Sequence, residues 1–200
     1  MNKTRILINN FKIFQGINQN VTNIFLILFG TLLLTISAKV QVPFWPVPMT
    51  MQTFMVFLIG ATYGVRLSFF TLVAYLFEGA IGLPVFATGG GIAYLTGPTA
   101  GYLYGMTLAA VVISYFADKG FSVSYVKTFI SIILGSVLIF ALGVIYLGSI
   151  LIFSFGVLYL GSIIGYNKAI QAGLLPFIPS ELFKIALAVI LIPTIIKILK

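Results

Sequence analysis

Two ionisable residues stand three positions apart in the stretch LLPFIPSELFK, residues 174–184: Glu181 and Lys184. That spacing puts both on one face of a helix. Pro179 and Ser180 start a helix well, with Ser180 as the candidate N-cap. The carboxylate is an acceptor and the ammonium a donor, so the pair offers both signs of hydrogen bonding in one place. Two readings are open. A first-turn acid favoured by the helix dipole, paired with its own lysine, explains the residues with no ligand. Against it stands scarcity: the chain has three acids, Glu78, Asp118 and Glu181, and an ionisable residue near a membrane span is a functional candidate by default.

A second candidate is GLPVFATGGGIAYLTGPTAGYLYG, residues 82–105, because eight of the 20 glycines fall between Gly79 and Gly105. One reading is an ordinary extracytoplasmic loop. The other is a folded-in cap or pocket wall, since the stretch keeps Leu83, Val85, Phe86, Ile92, Tyr94 and Leu95, which a solvated loop does not favour. Non-helical backbone at membrane depth persists only when buried in protein or lining a cavity. In that reading Gly89, Gly90 and Gly91 are small so that backbone can approach a ligand or take a positive φ. Tyr102 and Tyr104 open the next helix, either as interface anchors or as hydroxyls for a ligand. Thr31, Thr35 and Ala38 share one face of the first helix. Such a small-residue stripe permits close helix contact, within the chain or with a partner subunit.

What is missing narrows the chemistry. The chain has no histidine and no cysteine, which removes disulfides, thiolate nucleophiles, zinc sites and imidazole bases together. There is no acid cluster, and no metal or cofactor is called for. No G-x-x-x-x-G-K-[ST] motif is present, so any ATP-driven step belongs to another subunit. An enzyme is therefore the last of the function classes, behind a transporter subunit and a ligand-free membrane scaffold. The net charge of +8 reads as helix orientation by the positive-inside rule, not as a nucleic-acid surface.

The elements that must position these residues are membrane helices. At 60% hydrophobic and 7% charged residues, with a mean hydropathy of +1.18, the chain has too little polar surface for water. Spans of about 20 residues use up its length in roughly five to seven crossings, giving one polytopic membrane domain over residues 1–200. Residues 1–20 are read as a retained cytoplasmic or interfacial segment and 21–200 as the transmembrane part. The first span runs from about Val21 to Val40. Pro43, Pro46 and Pro48 then force extended backbone around Trp45. Short spans follow over Thr50–Tyr63 and from Arg66 to Gly79, then one over Pro98–Phe116 and a polar turn, ADKGFSVSYVK. The final span follows PFIPS, and Pro193 is expected to end or kink it. Residues 128–167 carry no charge and hold a near-repeat, GVIYLGSI at 143–150 and GVLYLGSI at 156–163. Six spans set Lys3, Arg5, Lys12, Arg66, Lys119, Lys127, Lys197 and Lys200 inside. Seven spans exchange Lys197 and Lys200 for Lys168 and Lys184. Both count eight against three, so charge does not choose.

Four stretches resemble a known family when taken in order: ISAKVQVPFWPVPMTMQTFMVFLIGATYG, LFEGAIGLPVFATGGG, GPTAGYLYG and LLPFIPSELFK. They look like the BioY family, the biotin-specific S components of energy-coupling factor (ECF) transporters, and the resemblance covers the chain from about Ser37 onward. It implies an all-α integral membrane protein: a six-transmembrane-helix bundle with loops capping an extracytoplasmic-side pocket, in a bacterial-type inner or cytoplasmic membrane, with the N-terminus cytoplasmic. It also implies biotin as substrate, the lipid bilayer as surroundings, and a transmembrane T subunit with two ABC-type ATPase subunits as partners. The family's acid and lysine correspond to Glu181 and Lys184, on the same side as the glycine-rich loop, which six spans achieve. Two departures stand out: the family's Gly-Asp is Ser180-Glu181 here, and the duplicated segment looks like an insertion. Under this resemblance Glu181 accepts from the ureido N–H groups, Lys184 meets the carboxylate or the carbonyl, and Phe44, Trp45, Phe86 and Tyr94 supply apolar walls. The Thr31, Thr35 and Ala38 face becomes a candidate contact for the T subunit. Alternatives are an S component for another small vitamin and a ligand-free scaffold.

Overall fold

The computed structural model describes residues 18–44, 47–154 and 178–198. The described chain is mostly helical, and four of its helices are long and apolar enough to cross a membrane. The first, α1 (Gln19–Lys39), is capped by the Asn18 side chain, which accepts from the Asn20 N–H. A two-residue hairpin follows, β1 (Gln41–Val42) antiparallel to β2 (Met49–Thr50), with Gln41 opposite Thr50. Pro43 and Pro48 fall in the connection between the strands, where no ladder N–H is needed, and Pro46 lies outside the described residues. Trp45 lies outside the described residues.

Helix α2 (Gln52–Tyr63) has 12 residues, about 18 Å of rise, which is short of the roughly 30 Å hydrocarbon core. It is buried over most of its circumference, from Gln52 and Thr53 to Ala61, so its apolar character serves the protein core rather than lipid. Gly64 turns the chain into α3 (Val65–Ala80), and a single short turn, α4 (Ile92–Leu95), interrupts the glycine-rich stretch. Helix α5 (Ala100–Asp118) is the most buried of the spans. It packs on α2, α3 and α6. Serines tie the close α2–α3–α5 contact: Ser68 donates to the Ile59 carbonyl at 3.0 Å and Ser114 to the Gly60 carbonyl at 2.8 Å. Apolar solvent leaves such groups few other partners.

After a 3-10 turn (Phe121–Val123), α6 runs unbroken over Tyr125–Ser154. The first copy of the near-repeat is therefore helix, while the second copy lies outside the described residues. Helix α7 is described over Ile178–Ile198, with Pro179 and Ser180 already helical, so Ser180 is not the N-cap that the sequence suggested. Pro193 neither ends nor interrupts it. Proline lacks the N–H that would reach back one turn, and membrane helices absorb that loss with Ser and Thr side chains. The carbonyl that Pro193 leaves without its helical donor is that of Val189, and Thr194 Oγ1 donates to the next one, Ile190, at 2.7 Å, which reinforces the helix beside the gap.

The bundle has two chemically different ends. At one, Ser122 donates to the Ala61 carbonyl, Tyr125 meets Thr194, and Lys197 sits 4.7 Å from the Tyr125 ring centroid. Arg66, Lys119 and Lys127 belong to the same end by their places at the α2–α3 and α5–α6 turns. The hairpin, the glycine-rich stretch and the start of α7 gather at the other.

The small-residue face of α1 is not left open for a partner subunit. Thr31 and Ala38 are buried and Thr35 is half-buried, because α1 packs this side against α2 and α3. Gly30 shows how close the approach is: a Cβ there would come within 2.6 Å of the Thr71 methyl. The exposed face of α1 carries Val21, Ile24, Phe25, Leu28, Leu32 and Ile36 instead. Replacing a large apolar face by a small-residue stripe is what close packing within the chain requires.

Candidate functional site

The glycine-rich stretch is folded onto the bundle by its own backbone and by its neighbours' side chains. Gly91 N–H donates to the Gly79 carbonyl at 2.6 Å, and Phe86 N–H to the Gly89 carbonyl at 2.9 Å. Phe86 is fully buried, stacked on Tyr94 at 4.8 Å and edge-on to Tyr75 at 5.3 Å. Its ring fills the space over Gly79, where a Cβ would overlap it. Tyr75 donates to the Val85 carbonyl at 2.9 Å and accepts from Gln52 Nε2 at 2.7 Å. Lys39 donates to the Phe86 carbonyl at 2.6 Å, and Gln41 to that of Ala87 at 3.3 Å. The end of α1, the hairpin and α3 thus each hold the same short segment, and α2 fixes the Tyr75 hydroxyl that does so from α3.

Beneath it lies a cavity of about 40 Å³. Thr53, Ala87, Tyr94, Tyr102, Glu181 and Lys184 are among the side chains that line it. Glu181 and Lys184 are 4% and 3% exposed, so they are not a solvated first-turn pair. Lys184 Nζ is 2.9 Å from Glu181 Oε2 and donates to Thr53 Oγ1 at 3.0 Å. Thr53 in turn donates to Glu181 Oε2 at 3.2 Å, closing a three-membered ring of contacts across 128 residues of sequence. Glu181 Oε1 is buried and has no hydrogen-bond partner among the described residues. Burying two charges carries a large desolvation cost that only good geometry offsets. An acceptor left open within such a pair adds to that cost. The arrangement is complementary to a molecule that supplies a donor.

The candidate residues divide. Glu181, Lys184, Tyr94 and Tyr102 come together at the cavity. Phe86 does not reach it, because it is core beneath the loop, and Phe44 is exposed on the hairpin connection. Gly89, Gly90 and Gly91 are not among the lining residues. Gly90 is small for a different reason: a Cβ there would collide with the Leu83 carbonyl oxygen of the same loop. Gly91 has a φ of +102°, a conformation that side chains disfavour. Sequence reasoning missed Thr53, Gln52, Tyr75 and Lys39. Gln52 and Thr53 carried a signal, two adjacent polar residues opening a helix that is otherwise apolar.

The geometry meets a clear match among known proteins. The model of the BioY family covers residues 9–200. The chain belongs to the BioY family. Among BioY relatives, a biotin transporter from Thermotoga maritima is 36% identical over 162 residues, covering 80% of this chain and 88% of that one. A probable biotin transporter from Rickettsia prowazekii is 32% identical over 181 residues, covering 90% and 86%. The crystal structure of an S-component for biotin from an ECF-type ABC transporter superposes with a TM-score of 0.74 at 26% identity, covering 90% of this chain and 94% of that one.

Proposed function

We propose that this chain is the membrane-embedded substrate-binding component that captures biotin and passes it across the membrane with an ECF module. The observation that carries the reading is the buried Glu181–Lys184–Thr53 group with one carboxylate oxygen open. Biotin has two ureido N–H donors, a carbonyl and a carboxylate. Glu181 accepts from the N–H groups, and Lys184 supplies donors to an oxygen of the ligand. The bicyclic ring and tail lie against Tyr94 and Tyr102, and the folded-in stretch with the hairpin forms the cap.

The gathering of Arg66, Lys119, Lys127 and Lys197 at the opposite end supports an extracytoplasmic pocket and a cytoplasmic N-terminus, by the positive-inside rule. It also supports six crossings, since Lys197 shares its end with Tyr125. Four of the described helices reach spanning length, and the shorter α2 and α3, running between the same two ends, make up six. With no P-loop of its own, the chain draws on a T subunit and two ABC-type ATPases for energy, and its role is binding and delivery rather than catalysis. The names of the relatives favour biotin over another small vitamin. Equilibrium binding of radiolabelled biotin to the purified protein tests this, with thiamine and riboflavin as controls. Saturable binding of biotin alone is expected, and binding of either control in its place would refute the substrate assignment.

A further inference from the structure

The cavity of about 40 Å³ is much smaller than the roughly 300 Å³ at which small-molecule pockets begin. Ligand entry must therefore enlarge it, and the structure shows where space is available. Between α6 and α7 runs an apolar groove of about 540 Å³, walled by Ile133, Val137, Ala141, Val144, Leu182 and Ile185. Two residues line both the groove and the cavity: Phe140 and Glu181. Glu181 is pinned by Lys184 and Thr53, whereas the Phe140 ring is held edge-on to Tyr102 at 6.3 Å.

A lipid-facing crevice between two helices needs no polar atoms, yet this one has two. Ser136 and Glu181 both line it, and both are at least nine-tenths buried. Ser136 Oγ and Glu181 Oε1 lack any hydrogen-bond partner among the described residues. Buried polar groups ordinarily find partners; the Glu181 oxygen has one in the ureido group of the cavity, so the open Ser136 hydroxyl is what points to a ligand that continues into the groove.

We propose that the cavity and the groove are two halves of one ligand site, divided by the Phe140 ring, and that Phe140 sets the length of ligand the site accepts. The inference rests on the biotin reading. In the unliganded state the ring closes the inner half. A ligand that reaches past it displaces the ring and enters the outer half, where an apolar tail meets aliphatic walls and a polar atom of the tail meets Ser136.

The test compares two biotin amides, N-methyl and N-hexyl, as competitors of radiolabelled biotin on purified protein. Both lack the carboxylate, so their ratio reports tail length alone. The wild type is expected to favour the methyl amide, and Phe140→Ala to narrow that preference at least tenfold. Phe140→Leu, a milder change that retains a branched apolar side chain, is expected to narrow it by an intermediate factor and guards against misfolding of the alanine variant. An unchanged ratio in a variant that still binds biotin would overturn the proposal and leave the groove a bilayer-facing crevice. Absence of biotin binding by the wild type would instead remove the reading on which it rests.

Discussion

Thr53→Val is the sharpest test of how the ion pair is held. Valine matches threonine in shape, so the buried packing of α2 stays, but the hydroxyl that accepts from Lys184 at 3.0 Å and donates to Glu181 at 3.2 Å disappears. Each hydrogen bond to a charged group contributes on the order of 1.5–3 kcal/mol. The direct Lys184–Glu181 contact at 2.9 Å survives, so the two losses do not add. Because these bonds exist without ligand, about 1.5–3 kcal/mol is the cost to the folded protein, and biotin binding weakens by the part of it that the ligand must restore in orienting the pair, at most roughly 150-fold in Kd. Thr53→Ser keeps the hydroxyl and should stay within a few-fold of wild type. Biotin titration of the three proteins in the same detergent, at matched concentration, reads the effect. Were Thr53→Val to bind biotin as tightly as the wild type, the threonine bridge would be packing only, and the orientation of the pair would have to come from elsewhere.

Glu181→Gln keeps the side-chain size but removes the charge from the acceptor and should weaken biotin binding by about 1.5–3 kcal/mol, read by the same titration. Gly90→Val forces a side chain into the Leu83 carbonyl, so the loop must open. A loss of binding of at least about tenfold, roughly 1.4 kcal/mol, is expected with normal membrane insertion. Thr88→Ala, whose hydroxyl makes only a 3.5 Å exposed contact to Tyr94, should change little. Deleting Gly143–Phe155 brings Gly156 and Tyr159 to the sequence positions of Gly143 and Tyr146. Those two pack against Tyr102 and Gly101 on α5, and biotin binding is expected to persist. Its loss in a normally expressed deletion would mean that the extra segment has become part of the fold.

How much of this was legible in the chain depends on the range of each interaction. Glu181 and Lys184 were readable because their relation is local, three residues along one helix. Their burial and their third partner were not, because Thr53 lies 128 residues away in sequence, and only the packing of α2 on α7 brings it there. The shortness of α2 was visible, but its apolar composition reads the same whether lipid or protein surrounds it. The stripe of Thr31, Thr35 and Ala38 shows the same ambiguity: small residues mark a close contact without naming the neighbour, and here the neighbours are α2 and α3.

The glycines make the distinction most clearly. Their density marked residues 82–105 as backbone brought close to something, and closeness is what the structure contains. The partner at Gly90 is the Leu83 carbonyl of the same loop rather than a ligand. That moves the role of the glycine one step back from the site. A loop that folds tightly on itself keeps Phe86 over Gly79, and Phe86 stacks on Tyr94, which lines the cavity. Substitution at Gly90 should therefore act through the position of Tyr94. Tyr94→Ala and Gly90→Val should then be far from additive in biotin affinity, since residues acting through one contact couple in a double-mutant cycle. Additive losses would mean that Gly90 reaches the ligand by another path.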